Sequence, residues 1–343
     1  MTDNSLNKIS PAAIYRITAL WAFSEAFLGG LLHGLNIPFK GLILCSISVF
    51  CICLIGYYGK GRNDILKALV LVILVKAMLS PHSPVQAYVA VIFQGLTGYV
   101  FFISKRFFKT SCILVYVISL IETPMQKIVN VVIFSTFVFG PKFWGAVNEF
   151  MEKASSELNL DGVNLLYLAT GIYLAIHVFA GIVLGIFIGR VPASVEKFVI
   201  ANPDFRIDLN KDEGEFEIQK KKKRKFKAVR IFLFALITFL FLNYLFEFFP
   251  QFIPKDKSLQ ILLRAVLLIL FWLFVFSPLI KLVFQKWLAK AKHKYAIQVK
   301  ELVEFLPQTK KILILSYKKI KQEHGKFRIP AFVKLLTANL IYG

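Results

Sequence analysis

The sequence predicts an all-α integral membrane protein: a six-helix transmembrane bundle, two further transmembrane helices, and amphipathic helices on the cytosolic side. Three observations predict it. The first is that apolar runs of about 20 residues, the length of helix that crosses a bilayer, recur along the chain. Second, 57% of the 343 residues are hydrophobic and the mean hydropathy is +0.64, more apolar surface than a soluble domain of this length has use for. The third is that the clusters of basic residues lie beside those runs. A backbone in lipid must satisfy its own hydrogen bonds, so each run reads as a helix. The short alternating segments of an outer-membrane barrel are absent.

The first span is expected over Ala12–Leu35, the second over Gly41–Tyr58, the third over Ile65–Ser80 and the fourth over Val85–Ile103. The fifth, from Ser111 to Phe139, is too long for one straight crossing, and Pro124 inside it predicts a kink or a break. The sixth is Val163–Ile188, which completes a membrane bundle over residues 1–190. Residues 191–228 form a hydrophilic cytoplasmic linker. Its acidic stretch (Asp212, Glu213, Glu215, Glu217) is followed by the basic run Lys220–Lys225, which beside a span reads as an anchor for anionic lipid. Two more spans follow within residues 229–284, at Val229–Phe248 and Leu259–Phe284.

Residues 285–343 are a basic cytosolic arm. Lys residues alternate with apolar ones at helical spacing from Trp287 to Phe305 and from Thr309 to Lys321. Pro307 is expected to break the first of these helices, Gly325 to end the second and Pro330 to start a third. Leu302, Phe305, Leu306, Ile312, Leu315 and Ile320 give the arm an apolar face for a membrane surface or a partner.

Charge sets the orientation. The net charge of +22, from 42 Lys+Arg against 20 Asp+Glu, would by itself suggest nucleic acid, but the excess lies after residue 215 and next to spans. Lys60 and Arg62, then Lys105, Arg106 and Lys109, then Arg190 fall in alternate loops, which places both termini in the cytoplasm. No nucleic-acid partner is expected. The N-terminus, MTDNSLNK, lacks the basic start of a cleaved signal. Cys45, Cys51, Cys53 and Cys112 all sit in or beside apolar runs and read as packing residues.

No nucleotide-binding, metalloprotease, serine-hydrolase or CxxC motif is present, so the chain is not expected to be an enzyme, and neither a cofactor nor a metal site is expected. Polar residues within apolar spans are costly and therefore informative. Glu25, His33, Gln94, Glu122, Gln126 and His177 lie within or at the ends of spans, and the short loop Ser80–Pro84 adds His82 and is followed by Gln86 and Tyr88. Two readings stand: a polar pocket for a small solute open to the outside, or interhelical pairing such as Glu25 with Lys76 or His177. The first span also carries Thr18, Ala22, Ala26 and Gly30 at four-residue spacing, a smooth face for close helix approach.

Six spans, both ends inside, the stripe Thr18–Ala22–Ala26–Gly30 and the stretch from Ser80 to Gly98 together resemble the substrate-binding S component of energy-coupling-factor (ECF) vitamin transporters. The arm, with Phe305-Leu306-Pro307, Ile312–Lys321 and Glu323-His324-Gly325, is similar to the coupling helices of the T component, which end in Ala-Arg-Gly. The resemblance implies a vitamin-like solute bound by the Glu25, His33, His82, Gln94 and His177 region. It also implies ABC-type ATPase subunits and a transmembrane coupling subunit as partners, with Phe305, Leu306, Ile312, Leu315, Ile320, Glu323, His324 and Gly325 in the coupling. Its setting would be the inner membrane of a prokaryote. The competing expectation is a structural or assembly subunit of a membrane complex, with no solute.

Overall fold

The computed structural model describes residues 10–29, 40–80, 83–140, 143–158, 163–209, 255–324 and 328–343, together with Thr238. The described residues hold no strand. Among the described residues four stretches are long and apolar enough to cross a membrane: Lys40–Tyr58, Lys105–Phe139, Leu165–Ala201 and Leu259–Lys294. The expected span at Val229–Phe248 and the basic run Lys220–Lys225 lie outside the described residues.

The helices in chain order are α1 (Pro11–Phe23, continued by a π-helical turn, Ser24–Leu28), α2 (Lys40–Tyr58), α3 (Asn63–Leu79), α4 (Val85–Phe101) and α5 (Phe108–Phe139). They are followed by α6 (Phe143–Glu157), α7 (Leu165–Gly189) and α8 (Val191–Ala201). The last four are α9 (Lys255–Phe271), α10 (Ser277–Lys294), α11 (Ala296–His324) and α12 (Ile329–Tyr342). The chain divides into two compact units. One comprises residues 1–123, 176–216 and 289–343, the other 124–175 and 217–288.

In the first unit α1 starts where Ser10, in an extended conformation, accepts a hydrogen bond from the Ala12 N–H, and Pro11 occupies the first turn, where no N–H is needed. The helix is then buried by four neighbours, packing against α2, α3, α11 and α12. Thr18 and Ala22 of its small-residue stripe are buried inside this unit, Ala26 is half-buried, and Gly30 is outside the described residues. Thr18 and Ala22 thus pack within the chain.

Side-chain contacts show that alternate helix ends meet. Gly56 of α2 faces the Phe102 ring, Ser111 of α5 donates to the Phe101 carbonyl at 2.8 Å, and Arg62 lies 4.7 Å from the centroid of Tyr99. Tyr57 packs on Phe108 with ring centroids 4.8 Å apart, and Gly189 of α7 abuts Lys109. The start of α1 joins the same end, since Ser10, Ile14, Tyr58, Lys60 and Asp64 share one cavity of about 360 Å³. The basic loops that set the orientation by sequence therefore collect at one end of an up-and-down bundle.

The arm is part of this end. Helix α11 runs through Pro307 without a break, contrary to expectation. A proline removes one backbone hydrogen bond, here to the carbonyl of residue 303, and both Pro307 and Val303 lie on the exposed face, where solvent is available to that group. The opposite face is buried: Val299, Leu302, Thr309, Ile312, Ser316 and Ile320 recur at three- and four-residue spacing and are all under a tenth exposed. Tyr15 of α1 stacks on Phe305 at 6.0 Å, and Phe305, Leu306 and Leu315 are half-buried. Pro330 does open α12, as expected, and α12 closes against α1 through the Arg16 guanidinium, which donates to the carbonyls of Leu340 (3.5 Å) and Gly343 (2.5 Å). A cation on those last carbonyls satisfies acceptors that the helix leaves open.

Helix α5 is likewise continuous through Pro124. Its 32 residues correspond to about 48 Å, against the roughly 30 Å of a hydrocarbon core. In the second unit the end of α5 packs on α9: Val138 and Ile261 are buried together, with Phe139, Leu262 and Ala265 around them. Lys127 donates to the Tyr173 hydroxyl at 2.8 Å, which ties α5 to the start of α7.

Candidate functional site

The π-helical turn of Ser24–Leu28 is where the polar interior of the first unit begins. A π turn widens the helix locally, and here it turns the consecutive residues Ser24 and Glu25 both inward, at 0% and 3% exposed. The Ser24 hydroxyl is satisfied locally by the Trp21 carbonyl at 2.8 Å. The Glu25 carboxylate is satisfied by other helices. Its Oε2 accepts from Lys76 Nζ of α3 at 2.7 Å, and its Oε1 accepts from Ser48 Oγ of α2 at 2.5 Å. Lys76, 2% exposed, also donates to the Ala87 carbonyl at 3.2 Å and lies 5.4 Å from the centre of the Tyr88 ring.

Four helices, α1 to α4, are therefore joined through one buried ion pair. Of the two readings of Glu25, the structure takes the paired one: both carboxylate oxygens and two Lys76 donors are occupied by this chain. Ser48 is the partner that sequence reasoning missed, because a serine in an apolar helix gives no sign of where its hydroxyl goes.

The remaining candidates divide. Tyr88 joins the Glu25–Lys76 group, whereas Gln86 is exposed. Gln94 is 3% exposed, and its Oε1 has no hydrogen-bond partner. His177 is buried at 1% exposed on α7. Gln126 falls in the second unit and is half-buried. His33, His82 and Gly325 lie outside the described residues.

Glu122 differs from all of these. Both of its carboxylate oxygens are shielded from solvent and neither has a hydrogen-bond partner. One turn earlier on the same face, Ser119 is completely buried and its hydroxyl too has no partner. The backbone around them is committed to α2: Cys45 Sγ donates to the Ser119 carbonyl at 3.4 Å, the Tyr116 hydroxyl donates to the Ser46 carbonyl at 2.9 Å, and Thr123 fills the space over Gly41. Pro124 then deprives the Leu120 carbonyl of its helical donor. One face of α5 thus carries a carboxyl and a hydroxyl whose oxygens are shielded from solvent and have no hydrogen-bond partner among the described residues. Among the described residues no cluster of His, Cys, Asp and Glu could hold a metal ion, and the four cysteines are buried and free of disulfides.

A second missed feature holds the other side of α5, at Ile113 and Val117. On α7, His177, Gly181, Gly185 and Gly189 follow one another at four-residue spacing and are all buried. A Cβ on Gly185 would stand 2.5 Å from Ile113 Cα, and one on Gly181 would stand 2.8 Å from Val117 Cα. Only glycine lets α7 approach the α5 backbone this closely. The signal is plain in the sequence, as a stricter version of the stripe noted on α1.

At the basic end, Ile320 and Glu323 of α11 line a cavity of about 880 Å³ with Asp204, Phe205, Arg328 and Lys334. The neighbouring loop is held by Asn339, whose Oδ1 accepts from the Ile207 N–H at 2.9 Å while its Nδ2 donates to the Phe205 carbonyl at 3.3 Å. Burial, and after it the nearby Glu196 carboxylate, raise the Tyr342 phenol above its ordinary pKa. Of the residues expected to meet a coupling partner, Ile312 and Ile320 are buried within the unit, and Glu323 is exposed.

No family model matches the chain, and neither a curated protein nor a solved structure matches it.

Proposed function

We propose that this chain is the membrane subunit of an importer of the energy-coupling-factor type, binding a small vitamin-like solute within residues 1–190 and working with an ATPase carried on separate subunits. The observation that carries this reading is Glu122. An ionisable group within a span marks a ligand path or a pairing, and Glu122 has no pairing among the described residues. The solute accordingly meets Glu122 and Ser119, with Gln94 and His177 as further polar groups of the bundle, and not Glu25, whose oxygens are already occupied. The finer topology belongs to the same reading: six spans and then two, with the basic end and both termini in the cytoplasm. The face left for an ATPase or a transmembrane coupling subunit is the charged outer side of α11, at Glu301, Glu304, Lys310, Lys311, Lys321 and Glu323, all exposed. The run Lys220–Lys225 would rest on anionic lipid.

The test is native mass spectrometry of gently extracted protein, looking for a bound small molecule and for ATPase subunits. The expected result is a vitamin-sized solute retained by the native chain and lost on Glu122→Gln, an isosteric change that leaves the fold intact. An empty protein in stoichiometric complex with membrane proteins that are not ATPases would sink the reading.

That second outcome describes the alternative, an assembly subunit without a solute. The buried Glu25–Lys76 pair favours it, because the alternative expects internal pairing of the polar residues within spans.

A further inference from the structure

We propose that the groove between the C-terminal end of α5 and α9 is a binding site for an anionic phospholipid, with the headgroup phosphate on Arg264 and the acyl chains along Phe137, Leu267 and Phe271. The inference rests on the chain lying in a membrane and is independent of any solute.

The groove has a volume of about 570 Å³, and Arg264 is the one charged residue among those that line it. Its walls are apolar and face outward: Phe137 is 63% exposed, Leu267 56% and Phe271 57%. The most apolar 18-residue window within Leu259–Lys294 has no residue buried by the described residues, which leaves it open to lipid.

A guanidinium on such a helix needs an anion or an interface. Arg264 presents five N–H donors in a flat fork suited to phosphate, and it forms no ion pair among the described residues. Gly140 makes room for it. This residue ends α5 with φ of +86°, and Arg264 Nη1 lies 3.6 Å from where a Cβ would stand.

The surroundings mark the level of a membrane interface. Helix α5 stops at Phe139, whose ring stacks on Phe143 at 4.8 Å, and Phe143 meets Trp144 edge-on. The Trp144 indole N–H donates to Thr136 Oγ1 at 2.9 Å, which ties the aromatic cluster to a residue that lines the groove. Aromatic rings of this kind gather where headgroups meet hydrocarbon. A phosphate there would meet Arg264 with the acyl chains below it.

The experiment uses the full chain. It is reconstituted into vesicles of equal phosphatidylglycerol and phosphatidylcholine, re-extracted in mild detergent, and its bound lipids are counted by native mass spectrometry. One cation beside an anionic headgroup predicts a preference of about fivefold for phosphatidylglycerol. Arg264→Leu should abolish it and Arg264→Lys should keep part of it. Leu267→Trp, which fills the groove while leaving Arg264 in place, should also displace the lipid. The run Lys220–Lys225 is present in every variant, so its contribution cancels.

Equal retention of the two lipids by the native chain, or an unchanged preference in both Arg264→Leu and Leu267→Trp, overturns the proposal. Displacement of the lipid by millimolar inorganic phosphate also overturns it, since that would mean an anion site without acyl contacts. A lower melting temperature for Arg264→Leu at an unchanged lipid ratio would assign Arg264 to the negative end of α5 instead. Solute retention is scored in a separate sample, so failure here leaves the transport reading standing.

Discussion

At the scale of single residues, Glu25 and Lys76 are each dangerous without the other. Both side chains are 2% exposed and 2.7 Å apart, so removing one leaves a charge buried without its counter-ion. The expected cost of Glu25→Gln or Lys76→Met alone is about 3–5 kcal/mol, whereas Glu25→Leu combined with Lys76→Leu should cost far less. Thermal unfolding in detergent over the full double-mutant cycle measures the coupling. Additive losses would mean that the two groups do not depend on one another. This pairing was legible in the sequence as one of two options, because both residues stand in apolar spans. The third partner, Ser48, was not, nor was the isolation of Glu122. A carboxyl reads the same in a sequence whether the fold brings it a donor or withholds one.

At the scale of helices, the contact between α5 and α7 rests on the absence of side chains. Gly185→Leu would push the Leu side chain into the Ile113 backbone, with an expected loss of about 1–3 kcal/mol. Gly171 lies on the same helix with nothing within 4 Å of its Cβ position, so Gly171→Ala should be neutral or gain up to about 1 kcal/mol. Melting temperatures of the two variants decide the matter, and equal shifts would show that the glycine ladder carries no special load. Most helices here could be read from apolar run length alone, and the start of α12 from Pro330. Pro307 misled because a proline states only that one hydrogen bond is lost. Whether the helix then breaks depends on what surrounds the freed carbonyl, which no local pattern contains.

At the scale of the whole chain, the arm is the main revision. Its periodicity correctly marks one face for burial, but periodicity is silent on what does the covering, and the cover is α1, α3 and α12 of the same polypeptide. Cysteine labelling tests this directly, since the four native cysteines are buried and give little background. Glu304→Cys, on the exposed face, should react quickly with a maleimide, and Ser316→Cys, on the buried face, should resist it until the protein unfolds. Equal rates would mean that α11 does not rest on α1. Sidedness is checked with the same chemistry: Lys310→Cys should be reached by an impermeant maleimide in inverted vesicles and protected in intact cells. The reverse pattern would invert the proposed topology.

The bond from Arg16 to the Leu340 carbonyl joins residues 324 positions apart. At a synthesis rate of about 5–20 residues per second, that separation amounts to roughly 15–65 s. Throughout that interval helix α1 lacks the helix that stacks on Tyr15 and the carbonyls that receive Arg16. The nascent bundle therefore waits, incompletely covered, for its own tail. A chain cut short before residue 296 would never close, and quality-control proteases would find it open at the end where the basic loops gather.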